Sequence, residues 1–432
     1  MSLYNVSEDV RNVKWTDDLA RRNEMASYLD YYNNDEDSYV SDHLDYLYPE
    51  TSYKLKKYMD KYPLTEMITN DKSIAFSTIP NIEIKGNDSL TNKLKNLLIE
   101  SKLWGTMQSV DSMVNLVGKT GVMPSFRDGK IKLDIITPDT CFVTQSAYDP
   151  TVITELYYEV SPRFDSPTKA DSVQTYVMWT PTYFQYVSVD HSNGSMNPLT
   201  EIVEHSYGRI PITWFSLEYS TNSFWSKKKN STIASHRNIV SDLTNIAYTV
   251  AYQAFSTLVT RGLDRSLPIN FGVSNYLNLP PDVSSASDHQ ADASYITPNP
   301  KLEQMWIMVN DKMASAAKSA GLSGDSYRKD SKTYSSGYEL KLSMIKLLRQ
   351  TTINRSKYLP AIIDLISLIA QTYNTHVSNT YSIDSMVLDV EFNKFEIDYS
   401  EKEVLENRLL EIEVEKAERE LALSPTTTNL NE

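Results

Sequence analysis

Between Lys301 and His376 the apolar positions form two helical stretches separated by a polar gap. Leu302, Met305, Trp306, Val309, Met313, Ala316, Ala317 and Ala320 recur at steps of three and four, which places them on one helix face that something must cover. Gly321 ends the stretch, since glycine accepts the left-handed backbone that many helix ends adopt. Leu322 to Ser335 carries Gly324, Asp325, Arg328, Lys329, Asp330 and Lys332 with no apolar period, which predicts a mobile loop. Ser336 with Glu339 three residues on is a capping box, so a second helix is predicted from Ser336 to His376. Its apolar positions are Leu340, Met344, Leu347 and Leu348, a rod of roughly 35 Å up to Tyr358. Pro360 should kink it before Ile362, Ile363, Ile366, Ile369 and Ala370 continue the pattern.

The preceding chain reads as helix first and sheet later. Ser7 to Asp60 is polar and helical, and the alternation in Ile79 to Ile84 predicts a short strand. Leu94, Leu97, Leu98, Met107, Val110, Met113, Val114 and Val117 predict one amphipathic helix over Leu90 to Gly118. From Gly121 to Ile136 the period drops to two around Asp128-Gly129, a dipeptide that accepts the positive φ of a tight hairpin. Further strands are expected at Leu156 to Val160, Gln174 to Thr180 and Tyr183 to Val189, with a turn at Asn193-Gly194. A helix is predicted from Thr232 to Val259, and the proline-punctuated Leu263 to Pro300 reads as a small module between two helices. After His376 come a strand at Met386 to Phe392, a helix from Ser400 to Leu423, and a disordered tail. The expected class is α+β.

Composition narrows the functions available to such a chain. Its 432 residues, 41% apolar and 23% charged, can bury a core in two to four packed units. The formal charge of −14 argues against indiscriminate coating of a phosphate backbone, so contact with nucleic acid should be local or weak. Cys141 is the single cysteine, so no disulfide forms within the chain and a reducing compartment is expected. The opening MSLYNVSEDVRNVKW has no signal-like apolar run, and no stretch approaches the ~20 apolar residues of a membrane span. The segment Glu396 to Ser424 holds ten acids against four bases, a net of −6.

Taken in order, these parts resemble the portal (connector) protein of tailed bacteriophages. The resemblance is carried by the hairpin ending in Ile135-Ile136-Thr137-Pro138, by Tyr207-Gly208-Arg209-Ile210-Pro211, and by Ser335-Ser336-Gly337-Tyr338-Glu339-Leu340-Lys341. The order of helices and modules carries it further. It implies an α/β wing over 1–225, stem helices over 226–262 and 301–320, and a small α/β clip over 263–300. It also implies a tunnel loop over 321–335, a long kinked helix with a wing return strand over 336–399, a short helical crown over 400–424, and a tail at 425–432.

The function implied is a ring, usually a dodecamer, at one vertex of the virion capsid, assembled in the host cytoplasm. Double-stranded DNA enters through it during packaging and leaves at ejection. The implied partners are further copies of the chain, the terminase large subunit, head-tail adaptor or neck proteins, and the major capsid and scaffolding proteins. A channel that lets DNA slide should not grip it, and weak exchangeable cations suit that need. Arg328, Lys329 and Lys332 take this role in the tunnel loop, with Tyr327 and Tyr334 as stacking or packing contacts. Clip docking falls to Arg261, Asp264, Arg265, Asp282, Asp288 and His289. The plain alternative is that these are solvated loop charges without a ligand.

Rival chemistry is thin. Asp42-His43-x-Asp45 and Asp288-His289-x-x-Asp292 contain metal-ligand residue types, but a lone histidine among surface acids is more often simply hydrated. There is no phosphate loop of Walker type, no zinc spacing and no Gly-x-Ser-x-Gly nucleophile elbow. No catalysis, metal or cofactor is therefore expected. Cys141 reads as a buried, inert thiol and Lys227 to Lys229 as a solvated linker. The competing function is a virion scaffold or head-tail adaptor that encloses no DNA.

Overall fold

A computed structural model describes residues 8–160, 173–190, 195–218, 223–225, 230–253, 257–261, 292–296, 301–328, 337–383 and 386–393. The chain opens with helices α1 (Glu8–Asn33) and α2 (Asp37–Leu47), a helical turn α3 (Ser52–Leu55) and α4 (Leu64–Lys72), then strand β1 (Asn81–Ile84). The stretch predicted as one helix after it is two, α5 (Asp88–Glu100) and α6 (Leu103–Val117). Asn87 caps the first by accepting from Leu90 N, and Lys102 turns the chain with φ 56° between them. The apolar period alone could not reveal this break, because both helices face the same core. Leu94, Leu97 and Leu98 meet Leu103, Met107, Val110 and Val114 there.

Strands β2 (Lys119–Arg127) and β3 (Lys130–Ile136) form the expected hairpin, with Asp128 at φ 54° and Gly129 at φ 74°. An antiparallel six-stranded sheet follows from β4 (Cys141–Gln145), β5 (Ile153–Glu159), β6 (Val173–Trp179), β7 (Tyr183–Asp190), β8 (Ser195–Pro198) and β9 (Val203–Glu204). Strand β10 (Thr213–Ser216) returns to pair with β2, giving a second sheet in the order β10-β2-β3. The turn expected at Asn193-Gly194 and the Lys227 to Lys229 run lie outside the described residues.

Helix α7 (Ser231–Gln253) ends earlier than the spacing predicts. Residues predicted as its last turn instead form β11 (Thr257–Arg261), antiparallel to β12 (Asp292–Ile296), from Thr257 opposite Ile296 to Arg261 opposite Asp292. Thr257, Val259 and Thr260 are β-branched and favour a ladder once a partner strand exists. The module placed at 263–300 therefore begins at a two-stranded neck, several residues before the predicted boundary. Helix α8 (Leu302–Ser319) follows, then a single 3-10 turn at Gly324–Tyr327.

Helix α9 (Gly337–His376) runs as helix past Pro360 rather than breaking there, and β13 (Leu388–Glu391) pairs antiparallel with β1. The second half of α9 is the centre of the largest core. Tyr358, Ile362, Leu365, Ile366, Ile369 and Ala370 pack among α5, α6, the β2–β3–β10 sheet and the β1–β13 ribbon. Arg355 ties the helix to the segments that flank the β1–β13 ribbon, donating to Ala75 O (2.8 Å), Asn393 O (2.7 Å) and Thr78 Oγ1 (3.0 Å). Ser336, Lys394 to Tyr399, and the helix and tail expected from Ser400 onward lie outside the described residues.

Candidate nucleic-acid and docking sites

The helices that would position both candidate sites are α7 and α8. Joined through the β11–β12 neck, they run as antiparallel neighbours and bury Ile239 and Leu243 against Val309, Met313, Ala316 and Ala317, with Leu64 and Ile68 of α4 closing the cluster. Lys312 pairs with Asp242 across the two helices. At its far end α8 stops at Gly321, whose φ of 90° is the left-handed C-terminal conformation expected for it.

The loop predicted to begin there is folded in its first half. Leu322 is 9% exposed and joins the α7–α8 core, and the turn at Gly324–Tyr327 lies directly on α8. A Cβ at Gly324 would sit 2.7 Å from Ala314 O, so glycine is what permits that approach. Tyr327 follows the turn inward. It is 6% exposed, and its hydroxyl donates to Asp71 Oδ2 at 2.6 Å. Burial and the neighbouring Asp71 carboxylate push its phenol well above the usual range. Of the two roles expected for it, stacking or packing, Tyr327 takes packing in this chain: it pins the loop's first half to α4.

Arg328 is the next residue and points outward. Its Nη2 lies 2.8 Å from Asp311 Oδ1 on α8, with both side chains substantially exposed. An exposed pair of this kind contributes about 0.2–1 kcal/mol, so the guanidinium can change partners at little cost. Lys329, Lys332 and Tyr334 lie outside the described residues, as do Asp264, Arg265, Asp282, Asp288 and His289. Arg261 is placed only by register, at the neck's outer end opposite Asp292.

Two further clusters bear on function. The Tyr207 to Pro211 segment is a strap on α9: Arg209 Nη1 donates to Asp364 Oδ1 (2.6 Å), Thr213 Oγ1 to Asp364 Oδ2 (2.5 Å), and Gln371 Nε2 to Tyr207 O (3.3 Å). Next to it, Lys119, Thr213, Trp214, Ser216, Lys357 and Asp364 line a cleft of about 400 Å³. Lys119 donates to Phe224 O (2.8 Å) and Lys357 to Leu217 O (2.6 Å), so both ammonium groups anchor the segment that follows β10. Burial pulls Lys119 down to about 8. Sequence reasoning missed these partners because Asp71, Asp311 and Asp364 sit in unremarkable polar helix positions.

Asp45 of the Asp42-His43-x-Asp45 motif pairs with Lys56 at 2.6 Å, and burial lowers the pKa of His43. Among the described residues no group of three or more His, Cys, Asp or Glu converges as metal ligands, and no helix is long and apolar enough to cross a membrane. Cys141 is fully buried, as the sequence predicts, and burial pushes its thiol up to about 12.

No family model matches this chain, and no curated protein does. Among solved structures it is similar to a chain described as "Virion of native gene transfer agent (GTA) particle", with 8% identity, a TM-score of 0.49, and coverage of 88% of this chain and 92% of that one.

Proposed function

We propose that this chain is a virion structural protein that assembles with copies of itself into a portal ring, a conduit for double-stranded DNA without catalysis or cofactor of its own. The observation that carries the reading is the path of the chain. It leaves the α/β wing along α7, crosses a two-stranded neck, returns along α8, turns at Gly324–Tyr327, and re-enters the wing core through a 40-residue helix. Along that path α7 and α8 form an antiparallel pair joined by the neck, and the turn at Gly324–Tyr327 brings Arg328 back beside Asp311 of α8.

Exposed apolar side chains support self-association. Trp306, Ile307 and Met308 of α8 are 37%, 52% and 43% exposed, and Ile345 and Ile353 of α9 are 53% and 42% exposed. A neighbouring copy would cover surface that a monomer leaves wet. The charge of −14 keeps a duplex from adhering, while Arg328 with Lys329 and Lys332 supplies weak contacts. The clip expected at 263–300 is the docking module for a terminase motor and later for head-tail adaptors, and the wing is the face for capsid and scaffolding proteins.

The rival reading, an adaptor or scaffold enclosing no DNA, draws on the burial of Tyr327, which takes one of the five channel candidates out of reach of a duplex. Electron microscopy of the purified chain separates the two. The proposal expects closed rings with a central channel wide enough for a duplex; a persistent monomer or an open bundle would overturn it.

A further inference from the structure

Among the described residues, several buried polar atoms without a hydrogen-bond partner gather where the N-terminal helices meet α7. They are both carboxylate oxygens of Glu36, Nε2 of His236, the hydroxyl of Tyr31 and Oδ1 of Asn34. Glu36 is 1% exposed, His236 0% and Tyr31 2%. Glu36 occupies the N-cap position of α2, yet its side chain caps nothing; Oε1 lies instead 3.7 Å from His236 Nε2. The other imidazole nitrogen, Nδ1, is 2.8 Å from Thr65 Oγ1 of α4, and the Tyr31 ring meets the imidazole edge-on at 5.2 Å. Three elements from different parts of the chain thus converge on one carboxyl and one imidazole.

We infer that Glu36 and His236 form a proton-controlled latch that fastens the N-terminal helical arm (α1 and α2) to stem helix α7. With Nδ1–H directed at Thr65, Nε2 is left as an acceptor, and a protonated Glu36, its Oε1 3.7 Å away and just outside hydrogen-bond distance, is the donor that faces it. Docked, the pair holds one proton, shared between two groups that are each neutral. An ionised Glu36 beside a neutral imidazole would leave a buried carboxylate without a counter-charge, which is the costly state.

The surroundings agree in direction. Burial lowers His236 to about 4, the Tyr62 carbonyl opposing only in part; burial, helped by Asp37 and Asp35, raises Glu36 against its own backbone N–H and the pull of Lys61. Lys61 is engaged at the rim with Asn34 O (2.7 Å) and Asp37 (3.3 Å). Arg237 acts on Tyr31 and His43, Tyr39 stacks on Tyr31, and Glu66 accepts from Asn34.

Undocked, the two groups titrate near 4.5 and 6.5. Between those values the free pair also holds one proton, on the histidine, so docking is insensitive to pH. Above 6.5 the free pair holds none. Docking then takes up a proton, and opening is favoured about tenfold per pH unit until Glu36 ionises in place. Below 4.5 the free pair holds two, and acid also favours opening.

The test is amide hydrogen exchange of the full chain across α2 and the first half of α7, corrected for intrinsic rates, from about pH 7 to about pH 8.5. Wild-type opening should rise with pH, by at most about tenfold per unit while Glu36 stays protonated in place, whereas Glu36→Gln, which keeps a donor for Nε2 but cannot ionise, should be flat. Equal slopes in the two proteins, or a flat wild type, would overturn the latch. Should Glu36→Gln fail to fold, nitrogen chemical shifts of His236 in the wild type decide. The latch requires a neutral ring protonated on Nδ1 from about pH 5 to about pH 8, and ordinary titration near 6.5 refutes it.

Discussion

Replacing Tyr358 by Phe tests how the long helix is locked into the wing. Tyr358 is 0% exposed and donates to Asp111 Oδ1 at 2.9 Å; the same carboxyl group accepts from Ala75 N at 2.9 Å and from Asn115 Nδ2 at 3.1 Å. Phe fills the same space, so the change removes one donor from a buried carboxyl and little else. Burial, opposed by these donors, raises Asp111 from 3.8 to about 6. A carboxyl raised in this way stabilises the fold fully below 3.8 and loses its contribution as pH rises through about 6, about 3 kcal/mol in all.

The hydroxyl of Tyr358 limits that loss by serving the anion. Its removal should cost about 1.5–3 kcal/mol at about pH 8, where the lost bond was to a charge, and about 1 kcal/mol at about pH 4.5, where it was neutral. Urea denaturation at the two pH values reads the difference, and the variant's Asp111 should titrate higher than the wild type's. A deficit that is equal at both pH values, or below about 0.5 kcal/mol at either, refutes the assigned pairing.

Three further outcomes follow from the same packing. Tyr327→Phe removes the bond to Asp71 and should cost about 1.5–3 kcal/mol in denaturation, with raised hydrogen exchange in the Gly324–Tyr327 turn; no change would return this residue to the channel side. Gly324→Ala forces a methyl against Ala314 O and should lift the turn from α8 at a cost of about 1–3 kcal/mol, read by the same exchange experiment. Ile366→Ala, at a fully buried site of α9, should cost about 2–5 kcal/mol, whereas Ile353→Ala, 42% exposed on the same helix, should stay within about 0.5 kcal/mol in the monomer.

Local information in the chain was enough for the β2–β3 hairpin, α8 and the helical run of α9. The period of two around Asp128-Gly129, the spacing through Leu302 to Ala320 and the glycine at position 321 each act within a few residues, where backbone geometry and side-chain periodicity decide the outcome. Partner-dependent features were not legible in that way. Thr257 to Arg261 continues a helical pattern and becomes strand because Asp292 to Ile296, far along the chain, offers a ladder. Leu90 to Gly118 keeps one apolar period through the break at Lys102 because both halves meet the same core.

The same distinction separates the candidate sites. The basic run at Arg328 to Lys332 is visible as composition, but whether Tyr327 faces outward or inward is settled by Asp71, far away in sequence. Glu36 and His236 each look like ordinary polar helix residues. Only the packing of α2 on α7 removes water from both, and removing water is what turns two unremarkable side chains into a coupled pair. Sequence alone specified the elements whose choice is made by near neighbours, such as the Asp128-Gly129 hairpin and α8; the tertiary structure decided where a distant partner strand overrides helix and which polar groups are dry, because both depend on residues brought together only by the fold.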